Sequence, residues 1–283
     1  MTEWSVAEPG ELTPAEPVRH LKIRIVNGAV NVVGTDEAAA RVEIAELEGP
    51  PLIVTQEGST LTITYADLQW KDLHWKGLLN WLDPKGRRRR AVVSVAVPAG
   101  ADVEVGTVAA EAVISGIRGR TDVRGVSGDT TLVGLSGPVR AESVSGGLEA
   151  QSVTGALRAH SVSGDVTLVE GAGASVSAET VSGALVIDLD PHRLDGPPAD
   201  IRLSSVSGEV AIRLADPDAT VEASTSGGSV ANAFEDLRVA GRWGSKSITG
   251  TLGSGRGSLK ATTVSGSIAL LRRPDETPHE KVL

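Results

Sequence analysis

The chain has 283 residues, a formal charge of −9 at pH 7 and no cysteine. The acidic balance disfavours nucleic-acid binding, because neutralising phosphates takes a basic surface, and the lack of cysteine excludes a disulfide framework and thiolate-ligated zinc. Hydrophobic residues reach 40% while aromatics are 2%, so any core must be built from Val, Leu, Ile and Ala, which suits a narrow interior.

Residues 1–17 carry Pro9, Pro14 and Pro17 with Glu3, Glu8, Glu11 and Glu16, and read as a flexible N-terminal arm. They lack the basic start and apolar run of a secretory signal, and no later window reaches the roughly 18 apolar residues of a membrane span. The expectation is a cytoplasmic protein, with peripheral attachment at the inner face of the membrane as its extension.

Regular alternation begins at Leu21-Lys22-Ile23-Arg24-Ile25 and runs into VNGAVNVVG from Val26. Val42 and Ile44, Leu52 to Val54, and Leu61, Ile63 and Tyr65 read as further strands, joined by turns at Gly49-Pro50-Pro51 and Glu57-Gly58-Ser59. From Asp67 to Arg90 the character changes: Trp70, Trp75 and Trp81 precede the run Arg87, Arg88, Arg89 and Arg90. On a helical wheel Leu68, Trp75, Leu78, Leu79 and Leu82 share one side, with Trp70, Leu73 and Trp81 largely opposite. Trp70, Trp75, Leu79, Trp81 and Arg87 to Arg90 are the candidate contacts to a protein partner or an anionic membrane. The competing reading folds the same Trp residues back over the solenoid.

Strand pattern resumes at Val93, Val95 and Val97, and from Val108 a phrase returns every nine residues. It reads VSGDTTLVG from Val126, LSGPVRAES from Leu135, VSGGLEAQS from Val144, VTGALRAHS from Val153 and VSGDVTLVE from Val162. Short-period self-similarity of this kind means a solenoid. Nine is odd, so alternation must break once per unit, and the breaks fall at Ser143-Val144, Ser152-Val153 and Ser161-Val162. The Gly two residues further on points inward, where space is short and a bend can demand positive φ. Val139-Arg140-Ala141 resembles Leu157-Arg158-Ala159, 18 positions on, and alternates with bulkier units such as Val166 and Leu168 or Leu185 and Ile187. Two units therefore make a coil of about 18 residues, against the rival of three sides and 27. An extra residue slips in between Gly171 and Thr180, and insertions interrupt the repeat at Asp190–Asp200 and Phe234–Ser247.

The predicted architecture is an all-β, single-chain β-solenoid, or β-helix, with two nine-residue units per coil. Behind the arm lie N-terminal coils and a cap over 18–106, carrying the Trp/Arg-rich insertion 67–90. Regular coils follow over 107–272, the last of them from Ile248 to about Leu271, and a disordered tail over 273–283. About ten coils at ~4.8 Å give a rod on the order of 50 Å.

Chemistry finds little purchase. A calcium-binding nonapeptide solenoid needs Asp at one place in every unit, and the equivalent places hold Asp129, Pro138, Gly147, Ala156 and Asp165. The outward rows, Thr131, Glu149 and Thr167 on one side and Arg140 and Arg158 on the other, set no two carboxylates at a hydrolytic separation. Asp188, Asp190, His192, Asp195 and Asp200 match no regular metal-ligand spacing, and no Gly-x-Ser-x-Gly elbow occurs. No catalytic, cofactor-binding or metal residue is assigned, and the chain reads as a non-enzyme without a cofactor.

The order IVNGAVNVVG, then VSVAVPAGADVEV from Val93, then tandem VSG units resembles the bacterial "putative adhesin" family of β-strand-repeat domains. That resemblance implies a β-solenoid, no established catalytic residues and, for some members, a link to the cell envelope and its stress responses. The expected function is a non-catalytic scaffold or interaction protein, peripheral to the membrane or partnered in envelope stress. A carbohydrate-binding or carbohydrate-active β-helix is the alternative, and self-association through the solenoid ends a further expectation.

Overall fold

The computed structural model describes residues 1–66, 89–173, 175–189, 199–215, 218–242 and 244–273. The nine-residue phrase folds into alternate sides of one flattened coil. On the first side lie β9 (Thr121–Gly125), β11 (Val139–Ser143), β13 (Leu157–Ser161), β15 (Ser175–Thr180) and β17 (Asp200–Ser205), each parallel to the next. On the second lie β10 (Thr130–Val133), β12 (Leu148–Gln151), β14 (Val166–Gly171), β16 (Leu185–Leu189) and β18 (Val210–Leu214). Val139 pairs with Leu157 and Leu148 with Val166, an offset of 18 that establishes the two-sided coil over the three-sided one. The slip near Gly171 is a bulge: the β14–β16 register shifts between Leu168 and Gly171, and Glu170 adopts a φ of 54°.

Inside, the first side supplies an aliphatic, an Ala and a hydroxyl, as in Leu157, Ala159 and Ser161, while the second supplies pairs such as Val166 and Leu168. These are buried in one continuous apolar core, and small residues facing large ones keep the slot filled.

Each letter of the Ser/Thr-Val-Ser-Gly corner has a physical task. The first hydroxyl turns inward and caps the bend: the Gly164 N–H donates to Ser161 Oγ at 2.9 Å and the Gly183 N–H to Thr180 Oγ1 at 3.0 Å. The second Ser donates its N–H and its hydroxyl to the same Val carbonyl one coil earlier, as Ser163 does to Val144 at 2.8 and 3.0 Å. The Gly lies against the Gly before it, so a Cβ on Gly164 would sit 2.0 Å from the Gly146 carbonyl oxygen. Close approach is the whole reason for this glycine, since its φ is not positive. The residue after the first hydroxyl differs between the two corners of the coil. Val162, Val181, Val206 and Val264 point outward, Val264 being 53% exposed, whereas Leu135 and Val153 at the opposite corner are buried.

The Asp positions that weighed for and against calcium are caps. Asp129 accepts the Gly147 N–H and Asp165 the Ala184 N–H, both at 2.8 Å, so a carboxylate is useful at that corner without any ion.

The two ends depart from simple succession. Residues 1–17, expected as an arm, form β1 (Thr2–Val6) and β2 (Gly10–Leu12). Trp4, Val6 and Leu12 pack partly against the core; their period-two spacing was masked by Pro and Glu composition. The next strand, β3 (His20–Thr35), makes a whole coil by itself. β4 (Arg41–Glu48), β5 (Leu52–Glu57), β6 (Thr60–Tyr65) and β7 (Arg90–Pro98) follow, and β8 (Asp102–Ser115) makes the next single-strand coil. Because β3 pairs on one edge with β6 and β7 and on the other with β8, it lies between elements that follow it in sequence. Outside β6 and β7 run β5 and β4, antiparallel to them, and then β1 and β2.

The C-terminal end repeats the device. β19 (Ala219–Thr225) and β20 (Val230–Asn232) form a coil, β21 (Leu237–Arg242) and β22 (Ser245–Leu252) an antiparallel hairpin beyond it, and β23 (Gly257–Thr263) and β24 (Ile268–Arg272) the final coil. That final coil is intercalated: β23 pairs with both β17 and β19, and β24 with both β18 and β20. The expectation that the last coils run on from Ile248 is thereby corrected, because Ile248 belongs to the antiparallel cap. The insertion from Phe234 supplies that cap, with Phe234, Leu237, Ile248 and Leu252 buried over the end of the core.

Candidate interaction surface

Strand register sets which side chains leave the core, and the two sides of the coil present different chemistry. On the first side the row Glu104, Asp122, Arg140, Arg158 and Ser177 continues into Arg202, Lys260 and Glu222. Beside it run Arg124, Glu142, His160 and Glu179. Opposite charges interlock within and across strands: Arg124 bridges Asp122 on its own strand at 3.3 Å and Glu142 on the next at 3.4 Å, and Lys260 meets Glu222 across strands at 3.3 Å. Arg140 also bonds Glu142, which raises the guanidinium pKa further. This is a solvated mesh that holds few kcal/mol but keeps the face wet.

The second side is charged at its N-terminal end, where Glu43 and Arg41 lie beside Ser94 and Ala96, and at Glu111, but it carries two long stretches of low charge. One outward row runs Ser94, Asn31, Val113, Thr131, Glu149 and Thr167, then Val186, Ala211, Ala269 and Ala231. The next runs Ala96, Val33, Ser115, Val133, Gln151 and Val169. Glu149 is the lone charge in these two stretches. Further along the second row Asp188 neighbours Arg213 and is bonded both by it and by Arg273, the latter at 3.2 Å. The Asp188 hydrogen bond raises the Arg213 pKa. With strands ~4.8 Å apart, the first row spans about 40 Å. Parallel sheets normally bury both faces. Here Val33, Val113, Val186 and Leu271 are exposed on one, Val186 at 41%.

Of the residues nominated from sequence, Trp70, Trp75, Leu79, Trp81, Arg87 and Arg88 lie outside the described residues. Arg89 and Arg90 are placed, and both touch the solenoid. The Arg89 guanidinium stands 5.6 Å from the centre of the Tyr65 ring, and Arg90 Nε pairs with Glu46 at 3.1 Å. The insertion leaves the chain between Tyr65 and Arg89, at the corner that Val26, Asn27 and Gly28 turn in the neighbouring coil. Of the acidic loop considered for a metal, Asp188 is taken by its two arginines and Asp200 pairs with Arg202 at 3.0 Å, while residues 190–198 lie outside the described set. Among the described residues no group of three or more His, Asp or Glu is placed to hold a metal. The low-charge face escaped sequence reading because Val, Thr and Ala at outward positions look like ordinary strand formers. Its signal lies in comparing whole rows, which needs the register.

These features define a class: a two-sided parallel β-solenoid with antiparallel caps and contrasting outer faces. The chain belongs to the Toastrack DUF4097 family, whose model matches residues 18–271. Its fold is similar to that of a "putative lipid binding protein" from Parabacteroides distasonis ATCC 8503, at 13% identity and a TM-score of 0.52, over 95% of this chain and 98% of that one. A "putative adhesin" from Parabacteroides merdae ATCC 43184 is similar at 10% identity and a TM-score of 0.40, over 95% of this chain and 97% of that one. No curated protein sequence matches this chain.

Proposed function

We propose that the protein is a rigid scaffold that docks a protein partner on the low-charge face of its second sheet. The carrying observation is the contrast between the faces. One is laced with opposite charges, while the row from Ser94 to Ala231 presents Val, Ala, Ser and Thr with Glu149 as its charge. An exposed apolar strip of this kind, flat and preorganised by hydrogen bonds on every strand, costs little entropy to dock. The occupant fitted to it is a protein surface with its own apolar, weakly charged face.

The Trp and Arg content of residues 67–90 suits a contact that supplements this face. A membrane role for them predicts co-sedimentation with anionic liposomes that Trp75→Ala and Arg88→Glu reduce. The carbohydrate-binding alternative would place aromatic platforms on a face, and neither outward row of the second side contains one.

The test is purification of the full chain from its own cells in three forms: unaltered, with Val169→Lys and Val186→Glu together, and with Arg158→Ser. A stoichiometric companion retained by the first and third and lost from the second is expected. A companion retained equally by all three would overturn the assignment of the face.

A further inference from the structure

We infer that copies of this chain stack head to tail, with β21 of one copy against β1 of the next, so that the first sheet continues across the junction. This goes beyond partner docking on the second face and uses different residues.

Both ends offer a strand edge. Among the described residues β1 pairs with β5 alone and β21 with β22 alone. Neither TEWSV nor LRVAGR contains the Pro, and neither strand the inward charge, that would blunt such an edge. The polarity also matches. β22 is antiparallel to β19, and β21 to β22, so β21 runs with the coils. β5 is antiparallel to β6, and β1 to β5, so β1 runs with them too. Both strands belong to the first side. Stacking one copy on the next along the solenoid axis therefore brings them together parallel, as in every regular coil.

Phase and charge then select a register. Val239 sits opposite the buried Ile248, so it points toward the core, yet it is 55% exposed because nothing follows it. Trp4 sits opposite the buried Val54 and is itself only partly covered. Setting Trp4 against Val239 completes both cores and places Glu3 opposite Arg238. A slip of one residue would turn Trp4 outward, and a slip of two would set Glu3 against Asp236 or Ala240. Residues 1–17 hold four Glu and no Lys or Arg, whereas the hairpin Leu237–Leu252 holds Arg238, Arg242 and Lys246, with Glu235 and Asp236 ahead of it. A heterologous contact of this kind does not close on itself, so the product is an open filament.

Sedimentation velocity over a range of concentrations tests this with the full chain. The average mass should climb past that of a dimer without a plateau, and fall on raising salt. Glu3→Arg and Arg238→Glu should each weaken association by roughly fivefold, and the double variant should recover most of the loss. Recovery distinguishes a lost contact from a damaged fold. A monomer at every concentration would overturn the inference. So would a closed dimer indifferent to both reversals, or a double variant no better than the singles.

Discussion

Ser265 donates both its N–H, at 2.9 Å, and its hydroxyl, at 3.3 Å, to the carbonyl of Val206, a residue 59 positions earlier. Elsewhere the same pair of bonds spans one coil, as from Ser163 to Val144. The long reach arises because the final coil is inserted between two coils that precede it. That placement ties the C-terminal cap to the body through the last strands to be made. At dilutions that keep copies apart, hydrogen exchange should find amides of Leu259–Thr263 better protected than those of Leu237–Arg242, since β23 has a strand on each side and β21 lies at an edge of the single chain. Equal exchange in the two segments would count against the intercalated order.

The corner glycines should be intolerant of a methyl group where two backbones meet. Gly164→Ala is expected to cost about 2–3 kcal/mol or more, because the clashing atom is a carbonyl oxygen that cannot swing away. Gly100→Ala, in open space with no positive φ, should be neutral or slightly stabilising. Paired thermal or denaturant melts decide this, and similar midpoints for the two variants would refute the glycine ladder.

The capping hydroxyls make a smaller, separable contribution. Thr180→Val keeps the volume and leaves the Gly183 N–H without its acceptor, so a loss of about 1–2 kcal/mol is expected. Thr131→Val, on the outward row, should stay within about 0.5 kcal/mol of the unaltered protein. Chemical denaturation reads both, and a neutral Thr180→Val would remove the cap.

Acid sensitivity should concentrate at the C-terminal end. Asp218 accepts bonds from the Arg256 side chain, from the Arg256 N–H at 3.2 Å and from Ser254 at 3.1 Å, and these hold its carboxyl well below the usual aspartate range. A depressed folded-state pKa stabilises the fold above the unfolded value of about 4 and loses that stabilisation as pH falls through the folded value. Thermal melts through the acid range should therefore show a pH dependence that Asp218→Asn diminishes. Titration of the Asp218 carboxyl by NMR at an ordinary aspartate value would contradict the arrangement.

The coil was legible in the sequence wherever local pattern and global fold agree. The spacing from Val139 to Leu157 gave the two sides, and the Ser-Val junctions located the corners. Two things were hidden. The outward turn of Val162 was masked because its phrase looks like that of Val153, which is buried; only the unlike turns around them separate the two. The intercalated coils were hidden because Leu259-Lys260-Ala261 fits beside Ile201 or Val221 equally well, and nothing local states which neighbour comes between. The candidate surface was legible as rows of residue types, Thr131 and Arg140 on opposite sides, but its low charge became visible only when the register joined every strand. The Trp-rich stretch drew attention by composition alone, and of its nominated residues Arg89 and Arg90 are the ones the structure places.

The most direct test of the proposed role is site-specific photo-crosslinking in the living cell, with the reactive side chain placed at Val186 on one face and at Ser177 on the other. Both positions lie on mid-solenoid strands and point outward, while the surrounding charge differs. The account predicts a discrete protein adduct from Val186 and none from Ser177. Adducts from Ser177 alone, or the same product from both positions, would contradict it.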